Sequence, residues 1–267
     1  MSETPHLAVL IDADNVAPRH LAALLAEVSK YGDAAVRRMY GDWTSQQLKG
    51  WKDAVNEHAI QPIQQFAYTA GKNATDSALI IDAMDLLYTG RFDGFCLVSS
   101  DSDFTRLASR LRESGATVYG FGERKTPQSF VNACNRFVYL DVVESAVIED
   151  SDAEDAAEAE AGGAGTGAGR SRGGAAPKKP AEQNTLRGDT RLVKLLRSGI
   201  RDASDDEGWA QLGAVGSLIR NQAPDFDSRN WGFGKLADLV DAIGLFTVER
   251  IASPSGGSLV RVKDERP

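Results

Sequence analysis

The sequence predicts an α/β domain with a mostly parallel sheet, then a flexible linker, then a small helical domain that ends in a two-stranded ribbon. Three observations lead to this prediction. Short apolar runs alternate with helical patterns before residue 149, the segment 149–184 lacks large apolar side chains, and three helical patterns precede a hairpin pattern near the end. A chain of 267 residues is also long enough for about two domains.

Short apolar runs predict the strands of the first domain, and helical patterns separate them. Strands that alternate with helices indicate a mostly parallel sheet covered on both faces. The predicted strands are 7–11, 35–40, 60–65, 95–99, 117–121 and, at an edge, 137–140; the predicted helices are 18–31, 45–58, 75–88, 103–114 and 127–133. In such a sheet we expect the ligand to bind beyond the carboxyl ends of the strands.

The segment 149–184 begins acidic, becomes rich in Gly and Ala, and ends with basic residues. It cannot bury a core, so the sequence predicts a flexible linker there. After it, helical patterns at 190–202, 211–222 and 233–243 precede strand patterns at 246–251 and 258–262. Three helices and a hairpin are the ingredients of a winged helix.

Composition excludes several kinds of site. The two cysteines, Cys96 and Cys134, form neither a disulfide framework nor a closely spaced metal or redox pair. The three histidines, His6, His20 and His58, are scattered, so we expect neither a histidine-ligated zinc nor a Ser-His-Asp triad. Carboxylates would therefore carry any chemistry.

The formal net charge of −8 does not indicate nucleic-acid binding, so that function must depend on specific residues. No apolar run approaches the roughly 20 residues that a membrane span needs. The N-terminus lacks the basic start and apolar stretch of a signal peptide. We therefore expect a cytoplasmic protein that does not associate with membranes.

Acidic residues follow two of the predicted strands. Asp12, Asp14 and Asn15 come directly after the first strand, and Asp101 and Asp103 follow the fourth. Because parallel strands end at the same edge of a sheet, these side chains are expected to lie near one another. A further acid, Asp76, opens a helix that we expect beside the fourth strand.

Carboxylates that converge repel one another, and a hard divalent cation such as Mg²⁺ or Mn²⁺ relieves the repulsion. The sequence therefore predicts a metal site suited to phosphodiester hydrolysis. Its candidate ligands are Asp12, Asp76 and at least one of Asp101 and Asp103, with Asn15 orienting Asp12 or a metal water.

These residues also have structural explanations. Asp14 fits a turn, Asn15 and Asp76 fit helix caps, and one of Asp101 and Asp103 is expected to cap a helix. Lys72 lies in a Gly-containing loop, where it either contacts the scissile phosphate or is solvated.

The segments IDADN, GKNATD, VSSDSDF and GATVYGFG resemble the NYN domain, which is the LabA-like branch of the PIN-like nuclease fold. The resemblance covers about residues 5–143. It implies a Rossmann-like sheet and Mg²⁺- or Mn²⁺-dependent cleavage of RNA, with the acidic positions of the family at Asp12, Asp76, Asp101 and Asp103 and with Asn15 beside Asp12. The family often has Gly at the position of Ser100, which is expected to matter only if the backbone there has a positive φ.

The stretch at about 187–263 resembles the OST-HTH, or LOTUS, domain, most clearly at Asp225-Phe226 and at residues 232–236. The resemblance implies RNA binding, including G-rich RNA, and protein partners in some members. Arg229, Trp231 and Lys235 combine cationic and aromatic character, so they are candidate RNA contacts. Alternatively, Trp231 belongs to the core of this domain.

The leading interpretation is a Mg²⁺- or Mn²⁺-dependent endoribonuclease with a C-terminal domain for single-stranded or structured RNA. Two alternatives stay open. In a haloacid-dehalogenase-like phosphatase, Asp12 would be the nucleophile and Asp14 the general acid, but Asn15 departs from that pattern and no cap domain has an obvious place. A non-catalytic RNA-binding adaptor would keep the acidic residues without cleaving RNA.

Overall fold

The computed structural model describes residues 4–66, 74–144, 180–252 and 258–266. The chain forms two compact units, Met1–Ala176 and Pro177–Pro267. Within the described ranges, no helix has both the length and the apolar character that crossing a bilayer requires.

The first unit alternates strands with helices, as the sequence predicts. Its strands are β1 His6–Asp12, β2 Asp33–Gly41, β3 Gln61–Gln64, β4 Gly94–Val98, β5 Thr117–Gly122 and β6 Arg136–Tyr139. Its helices are α1 Leu21–Val28, α2 Trp51–Glu57, α3 Ala74–Tyr88, α4 Thr105–Glu113 and α5 Gln128–Ala133, and shorter 3₁₀ helices occupy Pro18–His20, Gln47–Gly50 and Ser102–Phe104.

The six strands form one parallel sheet in the order β3-β2-β1-β4-β5-β6. This confirms the predicted α/β class and shows a sheet of the Rossmann type. The order reverses at β1, which pairs with β2 on one side and with β4 on the other. Ile11 pairs with Val98, so the ends of β1 and β4 lie side by side. Ligands bind at such a reversal of strand order in open α/β sheets.

Side chains of β1 alternate between two cores, one on each face of the sheet. Ala8 and Leu10 pack with residues of α3, α4 and α5. Leu7, Val9 and Ile11 pack with residues of α1 and α2. Burial on both faces explains why β1 is an uninterrupted apolar run until Asp12.

Helix α3 packs mainly against β1 and β2, whereas the sequence placed it beside the fourth strand. It connects β3, at one edge, with β4, on the far side of β1, so it has to cross over the two strands between them. Its first turn carries Asp76, which therefore starts from the same edge of the sheet as the end of β1.

The second unit is a small helical domain with a three-stranded antiparallel sheet. Its helices are α6 Gln183–Gly188, α7 Thr190–Ala203, α8 Leu212–Gln222 and α9 Leu236–Ile243, with a 3₁₀ helix at Ser228–Trp231. Its strands are β7 Ala210–Gln211, β8 Phe246–Ala252 and β9 Ser258–Asp264, in the order β7-β9-β8. The three predicted helices and the hairpin are present; α6 and the two-residue β7 are additional.

Helix α6 begins inside the segment that the sequence assigned to the linker, since Gln183 and Asn184 are helical. Its only apolar residue, Leu186, is fully buried in the core of the second unit. Arg187 donates to the carbonyl oxygens of Ile243 and Gly244 at 2.7 and 2.8 Å, at the end of α9. These contacts tie a mostly polar helix to the domain. Residues 149–179 of the predicted linker lie outside the described residues.

Gly120 of β5 allows a close approach of β6 that a side chain would block. A Cβ atom there would lie 2.5 Å from Phe137 Cδ2 and 2.6 Å from Cys134 Sγ, both in buried residues. We expect Gly120→Val to lower the free energy of unfolding of the first unit by about 1–3 kcal/mol. The urea midpoint of this unit is measured by pulse-labelling hydrogen exchange on peptides from β4 and β5.

Gly50→Ala is the matched control, because its nearest atom would be Pro18 Cγ at 3.9 Å, an ordinary contact. Its urea midpoint should stay close to that of the wild type. An unchanged midpoint for Gly120→Val would contradict the close packing of β5 against β6.

Candidate functional site

Asp12 ends β1 with a buried carboxylate that is only 1% exposed. Its Oδ2 accepts hydrogen bonds from Asn15 Nδ2 at 2.7 Å and from Ser99 Oγ at 2.8 Å, and its Oδ1 accepts one from the Asp14 backbone N–H at 3.1 Å. Burial raises the pKa of Asp12, while these hydrogen bonds oppose the rise. The donors thus fix the carboxylate and favour its charged form.

Ser99 connects the ends of the two central strands. Its hydroxyl donates to Asp12 and accepts the backbone N–H of Asp101 at 3.1 Å, and the residue is 1% exposed. Ser99 was not among the residues that the sequence predicted for the site. Its position directly after a buried strand could have identified it, because polar residues that follow parallel strands lie at the same edge of the sheet.

Asp101 and Asp103 are positioned by one tight turn. Asp101 precedes the 3₁₀ helix Ser102–Phe104, and its Oδ1 accepts the backbone N–H of Asp103 at 2.9 Å. Of the two acids, Asp101 is therefore the cap that the sequence allowed for. Phe104 is 1% exposed and anchors the turn in the core. The turn holds two carboxylates beside the end of β4.

Three carboxylates meet at this edge. One oxygen each from Asp76, Asp101 and Asp103 lie within 4.8 Å of one another. Asp76 comes from the first turn of α3 and the other two from the turn after β4, so segments distant in the chain converge here. Asp12 is not one of the three, and a direct metal-ligand role for it stays a prediction.

The pKa of Asp76 is raised from 3.8 to about 6. Burial is the largest cause, and the charges of four nearby aspartates add to it: Asp12, Asp101, Asp103 and Asp14. Without a cation, Asp76 therefore stays protonated up to a higher pH than an ordinary aspartate, and its charged form is unfavourable in the cluster. The repulsion that the sequence predicted is present in this arrangement.

Asp14 and Asp42 extend the negative edge toward β2. Burial, Asp12 and Asp42 raise the pKa of Asp14, and a hydrogen bond with the Thr75 side chain lowers it. Asp42 follows β2 directly, and its Oδ1 accepts the Gln64 Nε2 donor at 2.9 Å. Asp42 was missed from the sequence, although it is an acid separated by one residue from the end of a predicted strand.

Two other acids of α3 take no part in the cluster. Asp82 accepts hydrogen bonds from Arg38 at 2.9 Å and from the Tyr40 hydroxyl at 2.8 Å, which ties α3 to β2. Asp85 is exposed further along the helix. Only the first turn of α3 contributes to the candidate site.

Ser100 fits where the NYN family often has Gly. Among the described non-glycine residues only Ala59 has a positive φ, so the backbone at Ser100 is not strained in that way. The Ser100 hydroxyl accepts the backbone N–H of Glu123 at 2.8 Å, which joins the loop after β4 to the end of β5.

Two of the predicted RNA contacts already have partners within the second unit. The Arg229 guanidinium lies on the Asp227 carboxylate, with Nη2–Oδ2 at 2.8 Å and only 18% of the arginine side chain exposed. Trp231 Nε1 donates to Asp189 Oδ2 at 3.1 Å, and its half-buried ring packs against the core. The alternative that Trp231 is structural therefore has direct support.

The other two predicted RNA contacts differ in what the structure describes. Lys235 is exposed directly before α9. Lys72 lies outside the described residues. RNA contact by any of the four stays a prediction.

The raised pKa of Asp76 predicts a pH-dependent cost to folding without metal. Its stabilising contribution is complete below the ordinary value of 3.8 and is lost as the pH rises through about 6. In EDTA, we therefore expect Asp76→Asn to raise the urea midpoint of the first unit more at about pH 7.5 than at about pH 4. Pulse-labelling hydrogen exchange measures both midpoints.

Asp85→Asn is the matched control, since Asp85 is an exposed acid of the same helix. The pH dependence of the Asp76→Asn effect is measured relative to this variant. A pH-independent effect of Asp76→Asn would show that the carboxylates do not repel one another as placed.

Comparison with known proteins adds family information to this geometry. The family model described as the NYN domain matches residues 6–141, and the one described as the OST-HTH/LOTUS domain matches residues 187–257. No curated protein matches the chain.

Three solved structures resemble parts of the chain. A protein of unknown function from Vibrio parahaemolyticus is 17% identical with a TM-score of 0.45, covering 52% of this chain and 94% of its own. An uncharacterized protein from Nitrosomonas europaea is 28% identical (TM-score 0.26; 40% and 94% covered), and a protein from Chromobacterium violaceum is 29% identical (TM-score 0.26; 33% and 90% covered). At these TM-scores the likenesses carry no argument.

The two family matches follow the order that the sequence motifs predict, and they confirm that resemblance. Together they support a ribonuclease with an RNA-binding domain, and the acidic cluster lies within the first match. The NYN match spans half of the chain. The chain therefore belongs to the NYN domain family, with an OST-HTH/LOTUS domain after its NYN domain.

Proposed function

We propose that this protein is a Mg²⁺- or Mn²⁺-dependent endoribonuclease that hydrolyses RNA at the acidic edge of its first unit. The observation that carries the proposal is the convergence of Asp76, Asp101 and Asp103, whose carboxylate oxygens lie within 4.8 Å of one another. They lie at the edge where β1 and β4 end side by side, which is where an open α/β sheet binds its ligand.

The donor set fits a hard divalent cation. All three side chains offer carboxylate oxygens, which Mg²⁺ and Mn²⁺ prefer to nitrogen or sulfur ligands. The raised pKa of Asp76 is the mark of a site that lacks positive charge. When bound, such an ion polarises a phosphate oxygen and lowers the pKa of water, and both effects favour phosphodiester hydrolysis.

The remaining polar residues position the three ligands. Asp12 lies near them with a buried carboxylate, and its charge contributes to the raised pKa of Asp76. Asn15 and Ser99 hold Asp12 in place, so we assign both to positioning. The Asp101 turn limits the motion of its own carboxylate. A direct contact of Asp12 with the ion belongs to this proposal as well.

The second unit supplies RNA affinity in this proposal. We propose that it binds single-stranded or structured RNA, including G-rich RNA, with Lys235 as the most accessible of the predicted contacts. Two domains on one chain raise the concentration of RNA at the cleavage site above its concentration in solution. Protein partners of this unit are also part of the proposal.

The proposed chemistry predicts that Asp101→Asn abolishes cleavage while RNA binding is kept. Loss of one carboxylate at the cluster should lower kcat by about 100-fold or more, since a bound ion contributes several kcal/mol to the reaction. Cleavage by the wild type should require Mg²⁺ or Mn²⁺ and stop in EDTA. Denaturing gels with end-labelled structured and unstructured RNAs, and the matching DNAs, measure both effects.

Asp85→Asn removes an equal charge outside the cluster and should keep kcat. Cleavage that survives EDTA would contradict the metal dependence. RNA binding by pure protein without cleavage in either metal would favour the non-catalytic adaptor.

Because cleavage and RNA affinity are assigned to different units, we expect a different effect from removal of residues 185–267. The shortened protein should show a higher KM with a smaller change in kcat, because the catalytic carboxylates are all in the first unit. Steady-state kinetics on the same RNAs measure both constants, and circular dichroism checks that the first unit is folded. An equal loss of kcat would show that the second unit acts in the chemical step.

A further inference from the structure

The second unit has a basic groove along one face of α7. The groove has a volume of about 620 Å³ and is lined by five cationic side chains together with hydroxyl and apolar groups. The cations are Arg187, Lys194, Arg197, Arg201 and Arg266. Among the lining residues that the structure describes, none is acidic.

This charge is concentrated against a neutral background. Residues 185–267 contain 12 basic and 12 acidic residues, so the unit as a whole carries no net charge. A neighbouring depression of about 530 Å³ shares Arg197, Arg201 and Arg266 with the groove, and Asp264 is the acid along it. The basic surface therefore continues past the groove itself. Its charge is local, which explains why net charge gave no sign of it.

The helical repeat places the cations on one side of α7. Lys194, Arg197 and Arg201 recur at intervals of three and four residues, while Leu196 and Ile200 face the core. From Lys194 to Arg201 the helix advances about 10 Å. A row of cations along an axis suits a linear polyanion better than a single small anion.

Two of the cations form the fixed wall of the groove. Arg187 is held by carbonyl oxygens at the end of α9. Arg197 Nε lies 3.4 Å from Asp264 Oδ2, an ion-pair distance without hydrogen-bond alignment. Lys194, Arg201 and Arg266 are exposed, and Arg201 Nε lies 3.3 Å from Asp202 Oδ1 in a pair at the protein surface. Arg187 and Arg197 are held by contacts within the unit and shape the groove, and the other three cations extend toward a ligand, which would compete with Asp202 for Arg201.

The helix before the hairpin is less suited to phosphate. In helix-turn-helix proteins the recognition helix lies in the major groove of DNA. Here α9 carries Asp238 and Asp241, and Arg250 of the hairpin pairs with Asp238 at 3.4 Å. Two carboxylates on this surface would repel a phosphate backbone.

We propose that the α7 groove binds the phosphate backbone of RNA and is the main electrostatic contact of the second unit. The inference rests on the proposed function, since it takes RNA as the substrate. The direct contacts with phosphate are assigned to Lys194, Arg201 and Arg266. The wall of the groove is assigned to Arg187 and Arg197. Thr190 and Ser198, which also line the groove, offer hydroxyl donors to phosphate oxygens.

The test measures RNA binding by the full chain in EDTA, so that cleavage does not interfere. The groove variant is Lys194→Gln/Arg201→Gln/Arg266→Gln. The matched control, Arg220→Gln/Arg250→Gln/Arg261→Gln, removes the same charge elsewhere in the unit. Fluorescence anisotropy reports the affinity for labelled single-stranded RNAs of about 20 nucleotides, one mixed in sequence and one G-rich. Circular dichroism checks that both variants are folded.

We expect the groove variant to lose about tenfold or more in affinity at about 0.1 M salt, and the control to stay within about threefold. The slope of log K against log salt should become shallower by about two, since each single-strand phosphate contact contributes about 0.7. Similar slope changes on both RNAs would support a backbone contact over base recognition.

A groove variant that binds both RNAs as the wild type does would overturn the proposal and leave the groove as a surface for an acidic protein. Equal losses in the groove variant and the control would overturn it too, because the effect would then follow total charge. The endoribonuclease proposal fails independently, by absence of metal-dependent cleavage. If the wild type cuts RNA and the groove variant binds RNA normally, the endoribonuclease proposal stands and the groove proposal is wrong.

Discussion

Mutual repulsion among carboxylates at the carboxyl edge of the sheet is the constraint on which the candidate site depends. The reversal of strand order brings the ends of β1 and β4 together, and the first turn of α3 adds Asp76 at the same edge. Burial and the neighbouring charges raise the pKa of Asp76 to about 6, so the arrangement is unfavourable for folding unless positive charge is present. Perturbed groups of this kind cluster at functional sites, and in the proposed function a divalent cation would relieve the repulsion.

Hydrogen bonds from neighbouring polar groups hold the side chains around the cluster in position. Asp12 is buried with three donors on its carboxylate, and the Ser99 hydroxyl joins it to the backbone at Asp101. The Asp12 carboxylate is therefore held in position inside the protein, whereas Asp103 is exposed. A buried Asp12 and an exposed Asp103 suit a site that binds a cation on its solvent side. The same hydrogen bonds explain why polar residues follow two uninterrupted apolar strands.

Each unit has one surface of concentrated charge: acidic at the sheet edge of the first unit and basic in the α7 groove of the second. An acidic cleavage site repels the phosphates of its own substrate, so binding energy has to come from a cation at the site or from cationic side chains elsewhere. The α7 groove supplies five such side chains in a domain that is neutral overall. Separating the acidic chemistry from the basic binding surface avoids ion pairs that would neutralise both.

The sequence alone determined the local structure and the residues with chemical potential. Apolar runs and helical spacing predicted nearly every long element, and acids directly after strands identified Asp12, Asp101 and Asp103, because these features depend on neighbours in the chain. The tertiary structure decided which strands lie side by side, and with that the pairing of Ser99 with Asp12 and the position of α3 over β1 and β2. It also decided the helical state of α6, whose sequence has no amphipathic repeat and whose stability comes from Leu186 and Arg187 contacting distant residues. Strand order, short elements and charge clusters on one face arise from contacts between residues far apart in sequence, which local patterns do not encode.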